Sequence, residues 1–295
     1  MRTEEDITEL IISVAKSDDR IRAVLLSGSR ANPLAPKDIY WDYDVCFYVA
    51  DVEPFYNKPE WITEKFGKPL IMQMPETMRY PAGDGHFGYL TIFPDGVRID
   101  LSFDFRRYVD DGEPAIVLLD KDNGKGFLPA IPAPSDKFWH IKPPDELFYY
   151  SCCNNFWWCL NNIGKGIARD ELPYVMNMLN DVVRTELHDM INWYIGTDHG
   201  FNLSTGKDFK YIKNYLPSEI YERYIKTYPS GNYSEIWNSI WIMCDLFRDL
   251  AIKVAEHFNF EYKQHEEDAM RRYLCTLPDA SPPASFFASS AEIRL

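Results

Sequence analysis

The stretch from Leu25 to Val49 constrains the fold of this chain more than any other part of the sequence. A short apolar run at its start ends in Gly28-Ser29, which predicts a strand that runs into a tight turn. Farther along, Asp42 and Asp44 are separated by one residue and lead into a second apolar run, which predicts another strand. The pattern therefore predicts a sheet that carries two carboxylates close to a Gly-Ser turn.

The two carboxylates predict a metal site. Residues two apart on a strand point to the same face, so Asp42 and Asp44 should project together. Two such carboxylates repel each other unless a cation lies between them. Mg²⁺ takes one or two carboxylates and leaves its other positions to water and phosphates. Gly28 and Ser29 supply backbone N–H groups and a hydroxyl for a phosphate tail, and Arg30 adds a cationic fork.

A third carboxylate is expected from a later strand. Asp100 is flanked by apolar residues within the strand-like pattern from Val97 to Leu101, where a buried charge needs a reason. Three carboxylates from two strands can hold one or two Mg²⁺ ions. Asp104 is a weaker candidate than Asp100 for the third carboxylate. Taken alone, an Asp-x-Asp pair also fits a solvated strand edge or a metal-dependent glycosyltransferase. The combination with Gly28-Ser29 and Asp100 favours the metal site.

The hydrophobic patterns divide the chain into two parts. Strand-like patterns and a helix at Glu4 to Ser17 occupy the N-terminal half, which includes a hairpin from Tyr89 to Phe103. After about Asp145 the periodicity is helical. We predict an α+β fold, in which a mixed sheet with flanking helices precedes an α-helical domain. The predicted ranges are 1–140 for the catalytic domain, 141–277 for the helical substrate-binding domain and 278–295 for a low-complexity tail; the helices are expected at 146–168, 173–194, 208–228 and 233–257.

Composition narrows the class of partner. Lys and Arg total 31 and Asp and Glu total 45, which gives a formal net charge of −14. This charge argues against a nucleic-acid partner and suits a cationic small molecule, although a soluble acidic chain has the same composition. No apolar run approaches the roughly 18 residues that cross a bilayer, and the charged N-terminus is unlike a signal peptide. Because the six cysteines form no C-x-x-C pair, we predict reduced thiols in a cytoplasmic protein without a membrane partner.

The sequence resembles a known family. Two segments, Leu26 to Asn32 and Trp41 to Val45, are similar to the signature of the nucleotidyltransferase superfamily typified by DNA polymerase beta. From about residue 1 to 260 the chain resembles the aminoglycoside 6-adenylyltransferases, which are streptomycin-resistance enzymes. Further segments that carry this resemblance are Arg98 to Leu101, Leu119 to Asp122, Phe156-Trp157, Lys165-Gly166 and Met190 to Gly196.

The resemblance implies a reaction and assigns roles to residues. Enzymes of this family transfer AMP from ATP to a hydroxyl of an aminoglycoside, require Mg²⁺ and release pyrophosphate. By matching position, Asp42 and Asp44 would be Mg²⁺ ligands, and Asp100 would be a ligand or the base that takes the hydroxyl proton. The triphosphate would be held by Gly28, Ser29 and Arg30. The implied N-terminal fold is a polymerase-beta-like sheet.

Residues in the helical half are candidates for binding both substrates. Lys165 and Arg169 lie four apart on one predicted helix and are expected to reach the phosphates, unless they belong to a solvated surface. Asp181 and Glu186 are expected to bind the guanidinium groups of streptomycin, because carboxylates hold guanidinium in a bidentate manner. Asp189, Asp84 and Glu76 are further candidates. The alternative interpretation is that each of these acids is an ordinary surface residue.

Two other readings stay open. The chain is alternatively a nucleotidyltransferase of the same superfamily that acts on another small molecule, a protein or a nucleic acid. Another alternative is a non-catalytic scaffold with the same fold. The presence of Asp42, Asp44 and Asp100 argues against this interpretation. The sequence leaves the oligomeric state open.

Overall fold

A computed structural model of the chain describes residues 2–280. The chain divides into two compact units, one covering Met1–Phe138 and the other beginning at Trp139. Most of the tail predicted at 278–295 lies outside the described residues. The functions predicted for the two domains stay predictions.

The first unit is built on a mixed sheet. Among residues 2–138, the strands are β1 (Ile21–Ser27), β2 (Tyr43–Val49), β3 (Ile71–Gln73), β4 (Phe87–Ile92), β5 (Arg98–Asp104) and β6 (Ala115–Asp120). They form one sheet in the order β3-β4-β5-β2-β1-β6. The central strands β2 and β5 are parallel, and every other neighbouring pair is antiparallel. The predicted hairpin is confirmed as β4 and β5.

Helices cover one face of this sheet. They are α1 (Glu4–Ser17) and α3 (Pro59–Phe66), while the short α2 (Gly28–Ala31) follows β1 directly. A capping box starts α1, because the Thr3 hydroxyl accepts from the backbone N–H of Asp6 and the Asp6 carboxylate accepts from that of Thr3. The apolar residues of α1 and α3 pack with the inward-facing residues of β2 and β5 in one core. The opposite face of the sheet carries the polar side chains of Asp44 and Asp100 beside a small apolar cluster that includes Leu25 and Tyr48.

The second unit is helical, as predicted. Its helices are α4 (Glu146–Ala168), α5 (Leu172–Asn177), α6 (Arg184–His199), α7 (Ser218–Ile225), α8 (Tyr233–Phe258) and α9 (Gln264–Leu274), and they enclose a core rich in aromatic residues. The sequence-based α+β assignment is thus confirmed. Within the part of the chain that the structure describes, no helix is long and apolar enough to span a membrane.

Two predicted helices differ from the structure. The helix expected at 173–194 is interrupted by a π-helical segment, Met178–Val183, between α5 and α6. The helix expected at 208–228 is wrong in its first half, where there are short 3₁₀ turns before α7. Pro217 explains the break, because proline donates no backbone hydrogen bond and disfavours the helical conformation at the residue before it.

Candidate active site

The alternation of β5 and β2 brings carboxylates to the open face of the sheet. In β5 the odd-numbered residues from 99 to 103 are buried, and the even-numbered ones are less so. Asp100 lies directly opposite Asp44 of β2, and Asp44 is in turn opposite Ser27 of β1. The prediction that Asp42 and Asp44 lie on one strand is wrong for Asp42, because β2 begins only at Tyr43 and Asp42 lies in the loop before it. The structure therefore brings together the three predicted carboxylates, two by strand register and one by its loop.

Gly28 stands where no other residue fits easily. Its φ angle is +70°, in the left-handed region that favours glycine. A Cβ atom at this position would overlap the Oδ2 atom of Asp44. In the sequence, a glycine at this position is explained by the backbone N–H group that it offers to a phosphate. The structure adds a second reason, which is the room that the Asp44 carboxylate needs.

The carboxylates carry more negative charge than their surroundings balance. Burial, followed by the charges of Asp100 and Asp42, raises the pKa of Asp44 to about 6. Burial also raises the pKa of Asp42, against the opposing effect of Arg98. Among the described residues, the Asp44 carboxylate has no hydrogen-bond or ion-pair partner. The site thus attracts a further cation.

One arginine already lies between two of the carboxylates. Arg98 Nε and Nη2 donate to the two oxygens of Asp100 at 2.9 and 2.6 Å, and Nη1 lies 3.2 Å from Asp42 Oδ2. Arg98 belongs to a segment that carries the family resemblance, and the sequence alone gives it no role. The signal that could have found it is its position two residues before Asp100, on the same face of the same strand.

The site has ligands of the type that Mg²⁺ prefers, but the carboxylates are not arranged around an ion position in this structure. Across residues 2–280, no three His, Cys, Asp or Glu side chains are close enough together to hold a metal ion. The guanidinium group of Arg98 takes the place of a cation between Asp42 and Asp100. The donors are all carboxylate oxygens, which suit a hard divalent ion, and their excess charge favours its binding. On these grounds the residues fit the predicted ion.

The three residues predicted to hold the triphosphate have different surroundings. Arg30 is engaged by its own loop, since Nε and Nη2 donate to the carbonyl oxygens of Asp42 and Trp41 and the guanidinium stacks on the Tyr43 ring. This geometry makes it a residue that positions Asp42, and its contact with phosphate stays a prediction. The Ser29 hydroxyl, by contrast, has no partner among the described residues.

A cavity opens on the same face of the sheet, beside the carboxylates. Its volume is about 380 Å³. Its lining includes Ser27 of β1, which is opposite Asp44, and Cys46, two residues after Asp44 on β2, together with Asp104 and Tyr108. The cavity provides room for a ligand next to Asp44.

The cationic residues predicted in the second unit lie at the end of a helix. Lys165 is in the last turn of α4, and Arg169 is the residue that caps its C-terminus. Neither side chain has an ion-pair partner within residues 2–280. The structure thus leaves both cations available, and their contact with phosphates stays a prediction.

The acids predicted to bind the acceptor lie on the π-helical segment and on α6. Asp181 is exposed in the π segment. Glu186 is half-buried and accepts a hydrogen bond from Asn155 Nδ2 at 2.6 Å. One turn farther on, burial and then the charge of Glu186 raise the pKa of Asp189 to about 6. Their role in binding the acceptor stays a prediction.

Comparison with known proteins identifies the class. A model of the streptomycin adenylyltransferase family matches residues 1–277. The chain is 36% identical over 272 residues to an aminoglycoside 6-adenylyltransferase of Campylobacter jejuni, with 90% of this chain and 93% of that protein covered. It is 35% identical over 274 residues to one of Bacillus subtilis (strain 168), with 90% and 95% covered. A crystal structure of an aminoglycoside 6-adenyltransferase from Bacillus subtilis matches 94% of this chain and 98% of its own, with 30% identity and a TM-score of 0.47.

The family model and the two sequence relatives make the protein an adenylyl-transferring enzyme, and the resemblance drawn from the sequence is confirmed. The chain belongs to the streptomycin adenylyltransferase family.

Proposed function

We propose that the protein transfers AMP from ATP to a hydroxyl of an aminoglycoside such as streptomycin, with Mg²⁺, and thereby inactivates the antibiotic. The observation that carries the proposal is the cluster of Asp42, Asp44 and Asp100 next to Gly28-Ser29, in a chain of this family. Relatives from two organisms are named aminoglycoside 6-adenylyltransferases, which supports the class of acceptor.

Asp42, Asp44 and Asp100 would hold Mg²⁺. When bound, the ion would neutralise phosphate charge and stabilise the charge that develops on the leaving pyrophosphate. Asp44 contributes a half-buried carboxylate that has no cation of its own among the described residues. Lys165 and Arg169 are the proposed cations for the pyrophosphate.

The reaction needs one base. The acceptor hydroxyl oxygen forms a bond to the α-phosphorus of ATP, the bond from that phosphorus to the bridging oxygen breaks, and pyrophosphate leaves. The hydroxyl proton passes to a carboxylate, which we assign to Asp100. Its side chain is only 16% exposed and lies opposite Asp44, so it is held by the sheet rather than by a loop.

The acceptor should be a cation. The net charge of −14 and the acids of the second unit favour a polycationic ligand over a nucleic acid. Streptomycin carries guanidinium groups that carboxylates bind in a bidentate manner, and Asp181 and Glu186 are the proposed partners. The alternative function, nucleotidyl transfer to another small molecule, a protein or a nucleic acid, is not favoured by any specific contact.

The test is an acceptor screen with purified protein, ATP and Mg²⁺. Pyrophosphate release and a mass increase of the acceptor by one adenylyl group should both occur with streptomycin and should stop when EDTA is added. The Asp100→Asn enzyme should lose this activity, whereas Asp104→Asn, a change on the same strand and the same face, should keep it. If no aminoglycoside in the panel causes pyrophosphate release, the proposed class of acceptor is refuted. Equal activity of both variants would refute the role of Asp100.

A further inference from the structure

We propose that Arg98 is an internal counter-cation of the active site, which holds Asp42 and Asp100 together in the metal-free protein and has to release Asp42 when a divalent ion binds. The inference rests on the proposed function only in taking the cluster as the place where the ion binds. It makes Arg98 a positioning residue that competes with the metal.

The contacts of Arg98 show why it acts as a counter-cation. Its guanidinium makes a bidentate pair with Asp100 and a third contact with Asp42. Arg30, the other arginine near Asp42, is turned toward Glu4 and the backbone carbonyls of its own loop. Arg98 is therefore the cation that approaches the Asp42 carboxylate within the described residues.

One guanidinium cannot balance the cluster. Arg98 bridges Asp42 and Asp100 but makes no hydrogen bond to Asp44, which is half-buried beside them. The metal-free site therefore keeps an excess of negative charge even with Arg98 in place. A divalent ion that takes oxygens from Asp42 and Asp100 needs the same lone pairs that Arg98 occupies. The two cations thus compete for one set of oxygens, and the ion brings the higher charge.

Arg98 also has room to withdraw. Its side chain is 44% exposed, so it is not locked by packing. It lines a cavity of about 220 Å³, together with Tyr40, Trp41 and Gly96, and Asp100 is not among the lining residues. The long stem of arginine can move its head group into this space while the β5 backbone stays in the sheet. The exchange breaks no covalent bond and needs no movement of the strands.

The experiment is a titration with Mn²⁺ alone, followed by electron paramagnetic resonance of the free ion. It compares the wild type with Arg98→Met, which keeps the stem and removes the charge, and with Arg98→Lys, which keeps the charge and removes the fork. The matched control is Arg106→Met, because Arg106 makes the same type of bidentate pair with Asp104 at the other end of β5. We expect Arg98→Met to bind Mn²⁺ roughly tenfold more tightly, Arg98→Lys to be intermediate, and the control to be unchanged.

Thermal unfolding gives a second measurement. The Arg98→Met protein should melt at a lower temperature than the wild type without metal, because Asp42 and Asp100 then lack their counter-cation. Mn²⁺ should raise its melting temperature by more than that of the wild type. Mn²⁺ binding that is equal or weaker in Arg98→Met, or undetectable in all proteins, overturns the inference. A tightening that Arg106→Met shows as well also overturns it.

These measurements contain neither nucleotide nor acceptor. A protein that binds Mn²⁺ as expected but adenylylates nothing refutes the proposed function and leaves the role of Arg98 intact. If the wild type transfers AMP normally but Arg98→Met leaves the Mn²⁺ affinity unchanged, the role of Arg98 is refuted and the proposed function is left intact.

Discussion

At the scale of single residues, the site depends on what each carboxylate touches. Asp44 is half-buried next to a glycine, Asp100 is paired with Arg98, and Asp42 is held through the backbone of its loop by Arg30. The three acids have the same chemistry in the sequence but different surroundings in the fold. Substitutions at each position should therefore have separable effects.

Gly28→Ala should damage catalysis more than stability. The added methyl group overlaps the Asp44 carboxylate and has to displace it, while the positive φ angle costs about 1 kcal/mol on its own. We expect kcat to fall at least about tenfold, because the displaced carboxylate is a proposed metal ligand. Steady-state kinetics and urea unfolding would measure both effects.

Gly124→Ala is the matched control, since Gly124 has a φ angle of +77° and nothing within 4 Å of an added Cβ atom. It should show the loss of stability without the loss of kcat. Equal kcat values for the two variants would contradict the importance of the contact between Gly28 and Asp44.

Asp44→Asn should abolish AMP transfer and change the pH dependence of stability. The pKa of Asp44 is raised in the folded protein to about 6 from an ordinary value of 3.8. Its contribution to stability is therefore present below about pH 4 and is lost as the pH rises through 6. Because solvent screens a half-buried site, the loss should be about 1 kcal/mol.

The metal-free Asp44→Asn protein should lack this loss and should be as stable as the wild type, or more so, at pH 8. Urea unfolding between pH 4 and pH 8 in the presence of EDTA measures the difference. A variant that is less stable than the wild type at pH 8, or one that keeps normal turnover with saturating Mg²⁺, would contradict the prediction.

At the scale of elements, ion pairs and hydrogen bonds connect the buried side of α9 to its neighbours. The Glu267 carboxylate is 1% exposed and accepts from Arg271 Nε at 2.7 Å and from the Tyr262 hydroxyl at 2.8 Å. Arg271 also donates to Asp245 of α8 at 2.8 Å. Helix α9 is strongly polar in sequence, and it was not predicted. Its attachment depends on this network together with its few apolar contacts.

Removing one partner of the buried pair should cost more than removing both. Glu267→Leu leaves Arg271 buried without its main partner, which should lower the free energy of unfolding by about 3–5 kcal/mol. The double variant Glu267→Leu, Arg271→Met should cost less than the sum of the two single changes, because no buried charge is left unpaired. Urea unfolding of the four proteins forms the double-mutant cycle. Additive losses would show that the two residues do not stabilise α9 as a pair.

At the scale of the whole molecule, charge is the property that bears on the acceptor. The formal net charge of −14 attracts cations over distances that salt limits to roughly 8–10 Å at physiological ionic strength. The attraction is spread over many acids, so it selects the class of ligand, whereas individual side chains such as Asp181 select its orientation.

The Michaelis constant for streptomycin should increase with salt. We expect a several-fold rise between low and physiological ionic strength, because exposed charges are screened. Asp181→Asn should raise this constant further and should leave the affinity for a non-hydrolysable ATP analogue unchanged. Glu256→Gln, an equal change of charge at an exposed position of α8, is the control. A constant that is insensitive to salt, or equal effects of the two variants, would contradict recognition of a cationic acceptor by Asp181.

Local patterns determined the elements that have a strong period of their own. The predicted boundaries of α1 and α4 agree with the structure, because capping residues and apolar spacing are encoded within the helix itself. The apolar residues on either side of Asp100 likewise predicted a strand, and β5 alternates between buried and less buried positions. The positions of α3, β3 and α9 were missed, since their short or polar sequences have no such period.

Contacts between distant segments were decided by the tertiary structure alone. The sequence by itself predicted the carboxylates and the Gly-Ser turn, because their spacing and their chemistry are local. That Asp44 lies opposite Asp100, that Gly28 must leave room for Asp44, and that Arg98 turns toward Asp42 depend on how β1, β2 and β5 are placed side by side. Strand order and register bring together residues more than fifty positions apart, and no local period encodes that distance.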